Sequence, residues 1–220
     1  MYNTNKYDTV MFDMDGTVLK SEDLFTEAEI LLLADYGVNV KATELSEFKG
    51  VSPDFFYSKF KKKFDIKESD NILKDRLLVH LYSLFNNKLS YVDGFKSFYK
   101  NYIYKNQIKT ALVTNTSRNI VDKINELIEI DIYFKTITTS SDVSHGKPHP
   151  EPYIATMAAL GSTPPKTLII EDSKVGILSG LKSGADVISL LTTLTKKEIR
   201  AIDPEILCFS GYMDIYNYLQ

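Results

Sequence analysis

The second half of the chain alternates short apolar runs with amphipathic stretches, and this alternation limits the possible folds more than any other feature. The apolar runs are KTALVT (109–114), YFKTITTS (133–140), KTLIIED (166–172) and ADVISL (185–190). Stretches with helical spacing of apolar residues follow them, for example RNIVDKINELIEI and SKVGILSGLKSG. Strands that alternate with helices predict an α/β fold whose parallel sheet is covered by helices on both faces.

One further apolar strand precedes this half, and a long helical stretch separates the two. DTVMFDMD (8–15) is a short apolar run closed by a glycine, which is typical of a buried strand. From about residue 21 to residue 87, apolar residues recur at spacings of three and four, as in amphipathic helices. We therefore predict an α/β core formed by residues 1–19 and 89–220, interrupted by an all-helical module at 20–88, here called the cap.

Composition and charge argue against several classes of partner. Apolar residues make up 44% of the chain, and the net charge is −3, so no basic surface is expected to attract nucleic acid or an acidic membrane. No run approaches the roughly 18 apolar residues of a membrane span, and MYNTNKYDTV lacks a signal-peptide pattern. Cys208 is the single cysteine, so no intrachain disulfide can form. We expect a cytoplasmic monomer.

Three predicted strands end in polar or acidic residues. Asp13 and Asp15 close the first strand, Thr114 follows ALV, and Glu171 and Asp172 follow LII. In open α/β sheets, ligands bind at the carboxyl ends of the strands, so these side chains are expected to converge. Asp13 and Asp15 are two residues apart, so on a strand their side chains would point to the same face of the sheet. Two like charges on one face repel each other, and their burial is costly. A bound cation is the simplest group that could offset this cost.

The residue types at these strand ends indicate phosphate chemistry. Oxygen ligands without histidine or cysteine suit Mg²⁺, which usually keeps several waters and a phosphate oxygen. Thr114, Asn115 and Lys147 could bind the remaining phosphate oxygens. A carboxylate can attack phosphorus as a nucleophile, and a second acid or base must then serve the leaving group and water. Asp13 and Asp15 could divide these two roles.

Four segments carry a resemblance to a known family. DMDGT, VTNTS, GKPHPEPY and EDSKVG, in this order, resemble the four motifs of the haloacid dehalogenase superfamily. The helical module resembles the small cap of this superfamily, and the spacing is similar to that of the β-phosphoglucomutase-like branch. The resemblance covers essentially the whole chain. It implies a Rossmann-like core and a Mg²⁺-dependent phosphatase that acts on a small phosphorylated substrate, with the cap determining substrate choice.

Matched to these motifs, three residues receive catalytic roles. The resemblance implies that Asp13 is the nucleophile, forms an aspartyl-phosphate and binds Mg²⁺. It also implies that Asp15 is the general acid/base and binds the metal through its backbone carbonyl group. Lys147 is then the residue that holds Asp13 and the phosphate and offsets their charge.

The remaining motif positions receive binding roles. Thr114 and Asn115 are expected to donate hydrogen bonds to the transferring phosphoryl group. Asp172 is expected to bind Mg²⁺. Glu171 belongs to the same metal site, either as a direct ligand or through water.

Two departures from the mutase pattern favour hydrolysis. Phe25 stands where β-phosphoglucomutases carry a histidine that couples cap closure to acid/base chemistry. Pro53 follows the cap segment FKGVS (48–52), where the mutases have an arginine that binds the distal phosphate. Without that arginine, a sugar bisphosphate would lose a charge-assisted contact.

Several alternatives remain at this point. A mutase-type phosphoryl transfer or phosphonate hydrolysis is possible, whereas a metal-free dehalogenase is disfavoured because Asp15 is present. A non-catalytic binding module is a remote alternative, since all the catalytic positions are filled. Sugar phosphates lead as substrates, followed by glycolate or glycerol phosphates and then nucleoside monophosphates.

The two histidines beside Lys147 are interpreted as loop residues. His145 and His149 flank this lysine in HGKPHPEPY. The oxygen cluster already serves the predicted metal, so no ligand role is expected for either ring. His80, in the predicted cap, is interpreted as a structural residue.

Overall fold

The computed structural model describes residues 6–48 and 53–220, and the side chains of residues 53–55 lie outside the description. The described chain divides into two compact units. One unit holds the residues up to Leu19 together with Tyr91–Gln220, and the other is Lys20–Ser90. Most of the FKGVS segment, residues 49–52, lies outside the described residues, as does the side chain of Pro53.

The first unit contains a parallel sheet that has six strands within the described residues. The strands are β1 (Thr9–Phe12), β2 (Lys109–Val113), β3 (Thr136–Thr138), β4 (Thr167–Glu171), β5 (Asp186–Leu190) and β6 (Leu207–Phe209). Their order is β3-β2-β1-β4-β5-β6, and each neighbouring pair is parallel. The predicted α/β class with a Rossmann-like parallel sheet is therefore confirmed.

Helices cover both faces of this sheet. The helices of the core unit are α4 (Phe95–Phe98), which continues as a π-helix (Tyr99–Tyr104), α5 (Arg118–Ile128), α6 (Glu151–Leu160), α7 (Lys174–Ser183), α8 (Lys196–Ile202) and α9 (Tyr212–Leu219). Met11 packs in one buried cluster with Tyr153 of α6 and Ile177 of α7. The adjacent Phe12 points to the opposite face, where its ring lies 5.7 Å from that of Phe95.

The second unit is all helical in its described part. It contains α1 (Glu22–Asp35), a 3₁₀ helix (Ala42–Phe48), α2 (Pro53–Phe64) and α3 (Asp70–Lys88). Its core is built around aromatic rings: Phe60 is fully buried, stacks on Phe56 at 5.1 Å and meets Phe48 edge to face at 5.3 Å. The three helices agree with the helical spacing seen in the sequence.

Three elements of the core unit were not predicted from the sequence. These are α8, β6 and the helical segment 95–104. The strand predicted at 133–140 is reduced to the three residues of β3. Residues 130–133 form a 3₁₀ turn instead, so local apolar content overestimated the length of this strand.

Candidate active site

The order of the strands places the polar strand ends side by side. β1 lies between β2 and β4, and Phe12 is level with Leu112 on one side and with Ile170 on the other. The chain leaves β1 toward β2 on one side of the sheet and returns as β4 on the other side. Ligands of open α/β sheets bind at such a switch point, outside the carboxyl ends of the strands. Asp13 and Glu171 therefore meet at this position.

A tight turn follows β1 and presents the first two aspartates. The carboxylate of Asp13 is largely buried, and the backbone amide of this residue donates to the carbonyl oxygen of Ile170 at 3.0 Å. After Asp15, the amide of Gly16 donates to the carbonyl oxygen of Leu19 at 2.8 Å, and Gly16 has a φ of +77°. This left-handed conformation favours glycine and reverses the chain directly behind the two carboxylates.

Lys147 forms the centre of the cluster. Its Nζ atom lies 2.6 Å from Asp13 Oδ1, 2.6 Å from Glu171 Oε1 and 2.7 Å from the carbonyl oxygen of Val113. The side chain is only 1% exposed. Burial acts to lower the pKa of this ammonium group, but the charges of Asp13 and Glu171 raise it above its ordinary value. Lys147 is therefore a fixed positive charge between two carboxylates.

The carboxylate of Glu171 accepts hydrogen bonds on both oxygens. Oε1 accepts from Lys147 Nζ and from the Tyr153 hydroxyl at 2.8 Å. Oε2 accepts from the backbone amide of Asp172 at 3.1 Å and from the amide and hydroxyl of Ser173. A Cβ atom on Gly176 would lie 1.7 Å from Oε1, so the first turn of α7 also fits closely against this carboxylate. These contacts suit Glu171 to orient Lys147.

The carboxylate of Asp172 is fully buried and is surrounded by hydroxyl groups. Thr17 donates to Oδ1 at 3.1 Å, and Thr192 and Thr193 both donate to Oδ2, the former at 3.2 Å. Thr192 and Thr193 follow the carboxyl end of β5, so they obey the same strand-end pattern as the predicted residues. Sequence reasoning missed them because two threonines in a loop carry no charge signal.

Hydroxyl groups after β2 hold Asp15. Thr116 Oγ1 donates to Asp15 Oδ2 at 2.7 Å, and Thr114 Oγ1 lies 3.3 Å from the same oxygen. The backbone amide of Thr116 also donates to Thr114 Oγ1 at 3.0 Å. Thr116 was not predicted, although it is part of the VTNTS segment.

The side chain of Asn115 is directed at the loop that carries Lys147. Its Nδ2 atom donates to the carbonyl oxygen of Lys147 at 3.0 Å, and its Oδ1 atom accepts from the amide of Lys147 at 2.8 Å. A Cβ atom on Gly146 would lie 2.8 Å from Asn115 Oδ1, so a glycine is needed there for this close approach. The side chain of Asn115 thus makes a paired contact with the backbone of Lys147, and the expected contact of Asn115 with a phosphoryl group stays a prediction.

The oxygen atoms of the cluster fit a hard divalent cation. Carboxylate oxygens of Asp13, Glu171 and Asp172 lie within 4.8 Å of one another, and all three residues are buried. Burial raises the pKa of Asp13 well above its ordinary value; the charge of Lys147 opposes this shift, and the charges of Glu171, Asp172 and Asp15 add to it. A further positive charge is therefore electrostatically favoured here, and carboxylate oxygens are the donors that hard cations prefer.

Gly16 provides a test of how closely the turn fits Asp172. A Cβ atom at Gly16 would lie 2.1 Å from Asp172 Oδ2. In Gly16→Ala, we expect Asp172 to be displaced, the apparent affinity for the activating metal to fall about 10–100-fold, and turnover to fall with it. The left-handed conformation should cost a further 1–2 kcal/mol or so of stability.

Gly161→Ala is the matched control for this substitution. Gly161 also has a positive φ, +59°, but no described atom lies within 4 Å of its added Cβ. This variant should show the loss of stability in thermal unfolding and keep the metal dependence of turnover. Equal metal dependence in the two variants would contradict the predicted displacement of Asp172.

The fold and site together are those of a Rossmann-like α/β protein with a buried acidic cluster at its switch point. The sequence profile of the haloacid dehalogenase-like hydrolase family matches residues 10–190 of the chain. The chain belongs to this family. The prediction of an enzyme, a phosphatase-type hydrolase of this superfamily, is confirmed, and phosphatases of this family generally use a divalent metal ion.

Individual relatives agree with this assignment. The chain is 26% identical over 194 residues to pyrophosphatase PpaX of Anoxybacillus flavithermus, covering 86% of each protein. The fold resembles that of a "predicted phosphoglycolate phosphatase" from Haemophilus somnus, with a TM-score of 0.86, 19% identity and coverage of 99% and 100%. It also resembles a HAD family hydrolase from Deinococcus radiodurans with bound phosphate and sodium, with a TM-score of 0.76, 21% identity and coverage of 96% and 94%.

The helices of the described residues are too short or too polar for a membrane span. Across residues 6–48 and 53–220, none is both long and apolar enough to cross a bilayer.

Proposed function

We propose that this protein is a Mg²⁺-dependent phosphatase that hydrolyses a small phosphorylated metabolite through an aspartyl-phosphate on Asp13. The observation that carries the proposal is the buried lysine that contacts both Asp13 and Glu171 at 2.6 Å. Lys147 orients one carboxylate oxygen of Asp13 and supplies positive charge beside the place where a transferring phosphoryl group would sit. Phosphoryl transfer depends mostly on such positioning and charge stabilisation.

In the first step, a carboxylate oxygen of Asp13 attacks phosphorus while the bond from phosphorus to the ester oxygen breaks. Asp15, in its protonated form, gives its proton to the departing alcohol oxygen. The hydroxyls of Thr116 and Thr114, which donate to Asp15 Oδ2, hold this side chain in place. Asp15 is then a carboxylate that can act as a base.

In the second step, water attacks the phosphorus of the aspartyl-phosphate. Asp15 takes a proton from this water, and the bond from phosphorus to the Asp13 oxygen breaks. The products are inorganic phosphate, a free carboxylate on Asp13 and a protonated Asp15. The enzyme is thereby returned to its starting state.

The metal would be held by the carboxylates of Asp13 and Asp172 and by the backbone carbonyl group of Asp15. When bound, Mg²⁺ neutralises the cluster and polarises a phosphoryl oxygen. We assign Glu171 to a position outside the direct ligands, because its oxygens accept from the Lys147 ammonium group and from backbone amides, which are fixed donors. The donors to Asp172 described above are threonine hydroxyls, which can rotate away from a bound cation. Thr114 and the backbone at Asn115 remain the proposed contacts to the phosphoryl group.

A phosphomonoester, with sugar phosphates first, is the proposed substrate class, and a cytoplasmic monomer is the proposed form. Inorganic pyrophosphate is a second candidate, since a relative that matches 86% of this chain bears the name pyrophosphatase PpaX. Mutase-type transfer and phosphonate hydrolysis remain less favoured alternatives. The two leading candidates require the same chemistry at Asp13 and differ in the leaving group.

A phosphate-release screen tests the proposal. The panel would contain sugar phosphates, glycolate and glycerol phosphates, nucleoside monophosphates, pyrophosphate and a phosphonate. We expect release from one or a few compounds with Mg²⁺ and none with Asp13→Asn. Absence of release from every compound would contradict the hydrolase, and interconversion of β-glucose 1-phosphate and 6-phosphate would then identify the mutase.

Metal removal gives a separate prediction. EDTA should abolish phosphate release, and added Mg²⁺ should restore it. Ca²⁺ should restore little, because it takes more ligands at longer distances than the octahedral Mg²⁺. Full activity in EDTA, measured after dialysis against the chelator, would contradict the proposed metal dependence.

A further inference from the structure

A second group of metal-ligating side chains lies on the loop that carries Lys147. It consists of His145, His149 and Glu151, here called the two-histidine cluster. The Nδ1 atom of His145 lies 2.9 Å from Glu151 Oε2, and the Nδ1 atom of His149 lies 3.8 Å from the same oxygen. The two imidazole rings are 4.7 Å apart between centroids. The Nδ1 atom of His149 also accepts from the backbone amide of Glu151 at 3.2 Å. One ring nitrogen from each histidine and a carboxylate oxygen lie within 4.8 Å of one another.

Backbone contacts hold the carboxylate of the cluster in this position. The amide of Ser144 donates to Glu151 Oε1 at 2.7 Å, and the amide of His145 donates to Oε2 at 3.0 Å. The first of these contacts makes the largest contribution to lowering the pKa of Glu151, so its carboxylate is ionised. Oε1 accepts one backbone amide and has a further lone pair for a ligand, whereas the second lone pair of Oε2 faces the His145 ring.

The histidine side of the cluster is also anchored through the backbone. The amide of His149 donates to the carbonyl oxygen of Gly146 at 3.0 Å, and Ser179 Oγ donates to the carbonyl oxygen of His149 at 2.6 Å. The two imidazole rings themselves are open to solvent, with side-chain exposures of 67% for His145 and 52% for His149. A cation can therefore reach the ring nitrogens from solution.

We propose that the two-histidine cluster binds a zinc-class divalent cation, separately from the acidic cluster. Two imidazoles and one carboxylate form a common zinc ligand set, with bonds of about 2.0–2.2 Å and tetrahedral angles. Such a geometry separates neighbouring ligand atoms by roughly 3.3–3.5 Å, between the two observed distances of 2.9 and 3.8 Å. Rotation of the two rings would release His145 Nδ1 from the Glu151 carboxylate and His149 Nδ1 from the Glu151 amide. The cation would then take the place of these hydrogen bonds, and water would fill the open position.

The ligand atoms of the two-histidine cluster differ from those of the acidic cluster and favour a different metal. Imidazole nitrogen suits zinc-class metals, whereas the all-oxygen cluster suits Mg²⁺. Lys147 lies between His145 and His149 in the chain, so the bound cation holds together the ends of the loop that delivers this lysine to Asp13. The sequence interpretation of both histidines as loop residues rests on the oxygen cluster serving the metal, and the sequence does not show that both rings lie beside the Glu151 carboxylate.

Calorimetric titration with Zn²⁺ tests the proposal, with excess Mg²⁺ present to occupy the acidic cluster. The variants are His145→Ala and His149→Ala, and His80→Ala is the matched control. His80 is the remaining one of the three histidines of the chain and contacts Asp35 at 2.8 Å in the helical unit. We expect one Zn²⁺ per chain in the wild type and in His80→Ala, and a loss of affinity of about tenfold or more in each of the other two variants.

Equal Zn²⁺ affinity in all four proteins, or no binding to the wild type, would overturn the proposal. Thermal unfolding in EDTA shows whether a variant has kept its fold, as the exposure of both rings leads us to expect. The visible spectrum of the Co²⁺-loaded wild type is a second measurement that needs no variant. Intense bands of four- or five-coordinate cobalt support the site, and only the weak bands of octahedral cobalt would count against it.

Discussion

Asp13→Asn should reduce turnover by at least about 10⁴-fold, as expected when a nucleophile is removed. The amide of asparagine has nearly the same shape as the carboxylate but cannot form the acyl phosphate bond. The measurement is single-turnover and steady-state phosphate release on the best substrate of the screen. A loss in kcat with little change in KM would place the effect in the chemical step.

The same substitution should leave the fold intact and should not lower the free energy of unfolding of the metal-free protein. Burial already raises the pKa of Asp13 well above its ordinary value, so the ionised carboxylate is unfavourable in the folded state. Lys147 keeps its contact with Glu171 in the variant. Unfolding in denaturant with EDTA would measure this, and retained turnover in a folded Asp13→Asn protein would remove Asp13 from the nucleophile role.

Asp186→Asn is the matched control for this experiment. Asp186 begins β5, at the amino end of the strand, and pairs with the exposed Lys6 at 2.6 Å. It therefore lies at the amino ends of the strands, whereas the site is formed at their carboxyl ends. We expect turnover of the control to match that of the wild type.

The parts of the fold that the sequence predicted well are those with strong local signals. β1, β2 and β4 are buried along nearly their whole length, so their apolar runs identify them directly. β6 is a three-residue edge strand with partly exposed side chains, and its pattern does not differ from that of a loop. The length of an edge strand depends on pairing with a distant neighbour, which local composition does not record.

The candidate site also has one part that the sequence predicts and one part that it does not. Asp13, Glu171 and Asp172 could be placed together because parallel strands align their carboxyl ends. The sequence could not show that Asn115 pairs with the backbone of Lys147, or that Tyr153 of α6 donates to Glu171 at the end of β4. Such contacts depend on the packing of α6 and of the loop before it against the sheet, so spacing along the chain does not predict them.

Lys147→Met should destabilise the metal-free protein by about 3–5 kcal/mol, because it leaves two buried carboxylates without their shared ammonium group. Methionine preserves much of the volume of the lysine stem, so the loss measures charge and hydrogen bonding more than a cavity. Turnover should fall by about 10²–10³-fold or more, as when one preorganised donor to a developing charge is removed. Denaturant unfolding in EDTA and steady-state kinetics with Mg²⁺ would measure the two effects.

Lys182→Met is the control for the loss of a lysine near the same loop. The Lys182 Nζ atom lies 3.4 Å from the carbonyl oxygen of Pro148 and is exposed. Its replacement should change stability by less than about 0.5 kcal/mol. A similar loss in both variants would mean that the buried position of Lys147 is not the cause.

A double-mutant cycle with Glu171→Gln separates the coupling energy of the Lys147–Glu171 ion pair from the other effects of each substitution on stability. Because Lys147 contacts Glu171 directly, the double variant should lose less stability than the sum of the two single losses, with a coupling of about 0.5–3 kcal/mol. Additive losses would argue that the contact of 2.6 Å contributes little to stability.

The stability loss in Lys147→Met should also depend on pH, and the sign follows from Asp13. The pKa of Asp13 is raised by burial, and the charge of Lys147 is the main opposing influence, so removal of the lysine raises this pKa further. A carboxyl group with a raised pKa contributes most stability below its ordinary pKa, and this contribution is lost as the pH rises through the raised value. The variant should therefore be closest to the wild type in acid and furthest from it in alkali. A loss that is constant across this range would contradict the prediction that removal of Lys147 raises the pKa of Asp13.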